Sequence, residues 1–148
     1  MKIALGADHA GYELKELLIT TLQEWGYEVI DLGTHDATTS VDYPDFGSAV
    51  GHSVVSGEAD LGVAICGSGI GISIAANKVP GVRAALVHDA TSARLAREHN
   101  HANVVCMGAR LIGLAVAKDA LAAWLGAEPG EGQHLTRIEK LSQLDQRA

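Results

Sequence analysis

The sequence predicts an α/β protein, a three-layer α/β/α sandwich built on a parallel sheet. Three observations carry that expectation. Short apolar runs alternate with longer segments of helical period along the 148 residues. The runs are too short for free-standing helices and are bounded by glycine-rich turns, as buried parallel strands are. The polar residues best suited to chemistry follow the runs, where the carboxyl ends of parallel strands would gather them.

Residues 2–7 read as the first strand and lead into Gly6-Ala7-Asp8-His9-Ala10-Gly11. Over residues 11–25, Leu14, Leu17, Leu18, Leu22 and Trp25 recur with helical spacing. Residues 27–32 (YEVIDL) form the second strand, and residues 33–43 are polar and turn-like. Pro44 and Asp45 open a helix to about Ser56, since proline is tolerated in a first helical turn. Residues 61–65 are the third strand; a glycine loop follows, then Ile72, Ile74, Ala75 and Ala76 enter a helix. Pro80-Gly81 marks a turn, residues 82–88 a fourth strand, and Asp89 caps a helix to about His99. Residues 103–107 are the fifth strand and residues 111–125 a helix. After a linker at residues 126–132 comes a terminal helix over residues 134–146, with one apolar stripe of Leu135, Ile138, Leu141 and Leu144. Right-handed crossovers between five such strands give a Rossmann-like sheet covered on both faces. The whole chain, 1–148, is expected to be one domain, with helix 133–146 packing at a subunit interface.

Composition narrows the function. A hydrophobic fraction of 47% suits a compact fold, and no apolar run is long enough to span a bilayer. Asp and Glu number 18 against 11 Lys and Arg, a net charge of −7, which argues against nucleic acid as the main partner. The first residues read as a strand and not as a signal peptide. Cys66 and Cys106 both lie in or beside apolar runs, with no disulfide framework, so a reducing cytoplasm is expected.

The stretch Cys66-Gly67-Ser68-Gly69-Ile70-Gly71 concentrates the chemistry. Strand, glycine loop and helix together present bare backbone N–H groups and the positive end of a helix to an anion. A thiol at that end is a candidate base or nucleophile, because a helix N-terminus makes thiolate accessible. The glycine spacing matches neither the dinucleotide fingerprint nor a phosphate-binding Walker loop. A tight structural turn with Cys66 as a small buried hydrophobe is the plainer reading. Cys106, mid-strand and apolar, keeps that plainer reading. Asp8 and His9 follow the first strand, His88 the fourth and Arg110 the fifth. His99, at a helix end, suits acid–base work or a simple C-terminal cap. Arg110, His134 and Arg137 are candidates for a phosphate clamp, or surface charges. Asp42-Tyr43-Pro44 offers a carboxylate and a phenol, or only a helix-entry turn. No histidine or cysteine pair has metal-ligand spacing on one element, so no metal is expected.

These motifs are ordered as in one family. Gly6 to Gly11, Val41-Asp42-Tyr43-Pro44-Asp45, Cys66 to Ser73 with Ala75-Ala76-Asn77-Lys78, and Glu98-His99-Asn100 through Gly108-Ala109-Arg110 make the chain resemble the type B ribose-5-phosphate isomerases. That group also includes galactose-6-phosphate and allose-6-phosphate isomerases. The resemblance covers nearly the whole length. It implies a cofactor-free aldose–ketose isomerase of ribose 5-phosphate and ribulose 5-phosphate. It also implies a homodimer or tetramer whose active sites are each built from two subunits.

By that resemblance Cys66 is the base and His99 opens the sugar ring, with Ser68 beside them. Asp8, His9, Asp42, Tyr43, Gly67, Gly69, Ile70, Gly71 and Asn100 bind substrate. Arg110, His134 and Arg137 bind phosphate. Two departures stand out: Ser68 where many members have threonine, and Gln133 where many carry a second arginine. The amide brings no charge, so an isomerase of allose 6-phosphate or another aldose is the alternative within the class. A non-catalytic phosphate- or nucleotide-binding module is the alternative outside it, because the fold alone does not decide between them.

Overall fold

The computed structural model describes residues 1–145. Its elements run β1 (Lys2–Ala7), α1 (Tyr12–Glu24), β2 (Glu28–Asp31), α2 (Tyr43–Val55), β3 (Leu61–Cys66), α3 (Ile70–Asn77), β4 (Ala84–Leu86), α4 (Ala90–Asn100), β5 (Val104–Gly108), α5 (Leu114–Gly126) and α6 (Gln133–Leu144). The five strands form one parallel sheet in the order β2-β1-β3-β5-β4. Among the described residues, no helix is long and apolar enough to cross a membrane.

The period of two along each strand decides which helices it meets. Leu61, Val63 and Ile65 of β3 point to the same side as Ile3, Leu5 and Ala7 of β1. There they pack against Leu14, Leu18 and Leu22 of α1, Ala93 and Ala96 of α4, and Leu121 and Trp124 of α5. The alternate residues, Ala64 and Cys66 with Val104 and Cys106 of β5, face Val50 of α2 and Ile72 and Ala76 of α3. Fully buried side chains such as Leu5, Leu18 and Ile65 each stabilise the fold by about 2 kcal/mol. Parity thus sends the Cys66 side chain to the α2–α3 side.

The sheet departs from the sequence expectation mainly at its β4 edge. β4 is three residues, not seven. On its flanks the Asn103 N–H still donates to the Arg83 carbonyl and the Val87 N–H to the Cys106 carbonyl, and side chains add to these bonds: the Arg83 N–H donates to Asn103 Oδ1 (2.7 Å) and the His88 N–H to Ser92 Oγ (3.2 Å). The outer face of β4 is occupied by the Asn77 amide, which donates to the Ala84 carbonyl and accepts from its N–H, both at 2.9 Å. One side chain thereby blunts an edge that would otherwise invite another strand. Asp89 caps α4 as expected, accepting from the Ser92 N–H at 2.6 Å in a capping box.

Residues 111–113 are not helical. The N–H groups of Leu111 and Ile112 turn back onto the Gly108 carbonyl, and Gly113 is the N-cap of α5. α6 begins at Gln133, the start expected for the interface helix 133–146; the expected end at Gln146 lies outside the described residues.

The β3–α3 loop is laid directly on the end of β5. Gly69 has φ +77°, and a Cβ there would lie 2.8 Å from the Met107 carbonyl carbon and 3.0 Å from the Gly108 nitrogen. From the other side, a Cβ on Gly108 would lie 2.5 Å from the Ser68 backbone. Only bare glycine permits this approach. Gly108→Ala is therefore expected to destabilise the fold by about 2 to 3 kcal/mol, read as a lower denaturation midpoint at unchanged slope. An unchanged midpoint would refute this contact as a structural constraint.

Candidate active site

The sheet changes winding direction between β1 and β3, the place where open parallel sheets build their ligand crevices. A cavity of about 420 Å³ opens there. Two loops and the end of β5 deliver its walls. The Asp8 N–H donates to the Ile65 carbonyl (3.2 Å), which ties the β1 loop to β3. The Ala109 and Arg110 N–H groups donate to the Cys66 and Gly67 carbonyls, both at 2.9 Å, so β5 carries Arg110 alongside the glycine loop. A Cβ on Gly67 would meet the Arg110 side chain at 3.4 Å, so the guanidinium lies over that residue.

Cys66 lines the cavity, and its Sγ accepts the Gly69 N–H at 3.1 Å. A thiolate is stabilised by such a donor and by the helix N-terminus beyond it. The first-turn amides of α3 have no intrahelical carbonyl behind them. One of them, Ile70 N–H, donates to Ser68 Oγ at 3.2 Å, which leaves the serine proton for a ligand. His9 Nδ1 accepts the Val41 N–H at 3.2 Å, so its ring proton sits on Nε2 as a donor. Asp8 is buried, and one of its carboxylate oxygens accepts the Gly11 N–H at 3.1 Å. Tyr43 lies against Gly71, where a Cβ would come within 2.5 Å of the phenol ring; a bare residue there gives the ring its seat. The second thiol is different. Burial pushes Cys106 far up, with a smaller contribution from Cys66, so Cys106 stays a neutral thiol in the core.

Eight expected residues meet in this cavity: Asp8, His9, Tyr43, Cys66, Gly67, Ser68, Gly71 and Arg110. Gly69 is buried beneath it and serves through its N–H. Asp42, exposed at the N-cap of α2, and Ile70, 52% exposed, stay outside its lining. His88 is not at this site, because β4 is the edge strand and His88 is exposed beyond it. Ala10 and Leu111 complete the lining. Leu111 was hidden from sequence reading because its apolar neighbours suggested a helix.

The remaining expected residues gather elsewhere, around the end of α4 and on α6. The rings of His99 and His134 stack, and Asn100 and Arg137 line another pocket. The carbonyls that end α4 are held by Arg83, whose guanidinium donates to those of Asn100 and His101 at 3.1 to 3.3 Å. That clamp had no signal in the sequence, since it joins residues from β4's flank to the end of α4.

Known proteins share this sequence pattern and this fold. A family model described as Ribose/Galactose Isomerase matches residues 3–141. Ribose-5-phosphate isomerase B of Escherichia coli is 47% identical over 146 residues, 99% of this chain and 97% of that protein. D-erythrulose-4-phosphate isomerase of Pectobacterium atrosepticum is 40% identical over 141 residues, 95% of this chain and 93% of that protein. The solved structure of Clostridium thermocellum ribose-5-phosphate isomerase B matches with a TM-score of 0.97 and 52% identity over 99% of each chain. With a family model spanning nearly the whole sequence and relatives aligned end to end, the chain belongs to the ribose/galactose isomerase family.

Proposed function

We propose that this chain interconverts ribose 5-phosphate and ribulose 5-phosphate, with Cys66 as the base. The observation that carries this reading is the Cys66 thiol, held by a backbone N–H in a cavity that also contains His9 and Arg110. The sugar enters as a ring. His99 donates a proton to the ring oxygen, the bond from that oxygen to C1 breaks, and the anomeric hydroxyl releases its proton. The Cys66 thiolate then takes the proton from C2, and the electron pair moves into an enediolate with its charge on O1. Glycine-loop amides and Asn100 donate to that oxygen, each lowering the barrier by about 3 kcal/mol. The thiol returns its proton to C1, while the Ser68 hydroxyl is placed to pass a proton between O1 and O2. Asp8, His9, Asp42 and Tyr43 orient the sugar; Arg110 and Arg137 take the phosphate, with His134 at the head of the same helix.

The chain acts as one domain that pairs with a second copy, and each active site draws on both. His99, Asn100, His134 and Arg137 do not line the Cys66 cavity of their own chain, which supports a site completed by a partner. α6 has no buried residue and exposes Leu135, Leu141 and Leu144. Near the cavity Ile70, Ile74 and Leu111 are more than half exposed, an apolar rim of the kind that pairing covers. A free thiol as base suits a reducing compartment, so the enzyme is cytoplasmic. Gln133 favours a second reading in which the sugar differs, because an exposed amide at the head of α6 brings no charge to phosphate.

Cys66→Ala should lower kcat for ribose 5-phosphate about a thousandfold, or more, in a folded protein with EDTA present. A variant that keeps full rate would eliminate Cys66 as the base. Cys66→Ala and His99→Ala, each inactive alone, should recover about a quarter of wild-type activity after being unfolded and refolded together. Half of the randomly formed dimers are then mixed, each with one intact site. Absence of recovery would mean that the site is not shared. Gln133→Arg should lower KM for ribose 5-phosphate; no improvement would point to another preferred sugar.

A further inference from the structure

His134 stands in the first turn of α6, and its imidazole lies parallel to that of His99, with centroids 4.6 Å apart and planes 11° from parallel. Parallel rings at that spacing form a favourable aromatic contact. His99 lies in the last turn of α4 and is exposed. Among the described residues, neither of its ring nitrogens has a hydrogen-bond partner. A histidine that transfers protons is usually oriented by a bond to the nitrogen not used in the chemistry. Here the face of the ring is held instead, and both nitrogens stay available.

The partner ring is itself fixed from the linker. The Gly130 N–H donates to the Glu98 carbonyl at 2.8 Å, and His101 Nε2 lies 2.7 Å from the Gly130 carbonyl. A Cβ on Gly130 would lie 2.5 Å from the Glu98 carbonyl oxygen and 2.8 Å from His134 Cδ2. The linker therefore grips the last turn of α4 at the residue beside His99 and sets His134 against it. Arg83 closes the same turn from below by holding the Asn100 and His101 carbonyls.

We propose that His134 is a positioning residue for ring opening, a platform that orients His99 toward the ring oxygen. The inference rests on the isomerase reading above and gives His134 a task other than binding phosphate. In the step it serves, the His99 N–H proton passes to the ring oxygen. The bond from that oxygen to C1 breaks with its electron pair going to oxygen, and the anomeric O–H proton leaves to water, which later reprotonates His99.

The two tasks make opposite demands on a replacement. Phenylalanine keeps the flat ring and donates nothing; glutamine keeps a donor and loses the ring. Because His134 is partly exposed, none of its replacements removes a core contact. On ribose 5-phosphate, His134→Ala and His134→Gln should each lose about tenfold or more in kcat with KM little changed. His134→Phe should return kcat to within about threefold of wild type. Recovery by glutamine but not phenylalanine, a loss confined to KM, or no loss in any variant would overturn the proposal. Erythrose 4-phosphate adds a bypass, since its only hydroxyl able to close a five-membered ring is phosphorylated. His134→Ala should lose clearly less kcat on it than on ribose 5-phosphate, and an equal loss on both sugars would also count against ring opening. If wild type does not turn over the tetrose, the order of the phenylalanine and glutamine variants decides alone. A wild type inactive on ribose 5-phosphate overturns the isomerase reading itself, whereas an active wild type with the opposite variant order overturns the role of His134 alone.

Discussion

Gly69 lies with its backbone against the peptide that joins Met107 to Gly108, and most of the site's geometry follows from that contact. It sets how far the β3–α3 loop can fold back over β5, and hence where the Gly69 N–H points. That N–H meets Cys66 Sγ, so the loop orients the one thiol that faces the cavity. The same approach brings residues 109 and 110 alongside the Cys66 and Gly67 carbonyls and lays Arg110 over the loop. A thiol, a set of amide donors and a cation are therefore positioned together by packing one backbone on another. Such contacts shift little, because close-packed interiors resist deformation.

The two cysteines show how much the surroundings decide. Both point to the α2–α3 side of the sheet, on neighbouring strands. Cys106, inside β5, is sealed in the core, and burial disfavours its charged form. Cys66, the last residue of β3, meets a cavity wall and a backbone donor. An apolar setting silences one thiol, while a strand end and a helix start serve the other. The overall charge of −7 does not oppose an anionic ligand here, because Arg110 and the α3 N-terminus supply positive charge locally.

The layers, the five strands and the cavity's position were legible in the sequence because each rests on local signals: apolar runs, helical spacing, glycine loops and the Asp89 cap. Asp8, His9, Cys66, Gly67, Ser68 and Arg110 meet in one cavity for the same reason; they flank strand ends, while Tyr43 and Gly71 come from the starts of α2 and α3. What sequence could not give depends on partners far along the chain. β4 is flanked by side-chain bonds to Asn103 and Ser92, and its edge is closed by Asn77, seven residues before Ala84. Lys15 sits on the buried face of α1 and is fully buried, with ion pairs of 2.8 Å to Asp31 and Glu16 that no periodicity announces. Residues 111–113 read as helix by composition, yet the Leu111 and Ile112 N–H groups turn back onto the Gly108 carbonyl.

α6 is the element least explained by its own fold, since it buries no residue of its own. A helix of twelve residues is marginal in water unless packing supports it. Among the described residues, three polar or ring ties hold it: the linker bonds through Gly130, the His99–His134 stack, and the Gly81 N–H donating to Asp145 at 2.9 Å. Two of the three involve the end of α4, where His99 and Asn100 stand. The ties that hold α6 to the body are thus the ones that order that end of α4. An element so exposed and so specifically tied is hard to account for by stability alone. It is accounted for if its apolar stripe is covered by a second copy and its first turn works on the chemistry that the second copy completes.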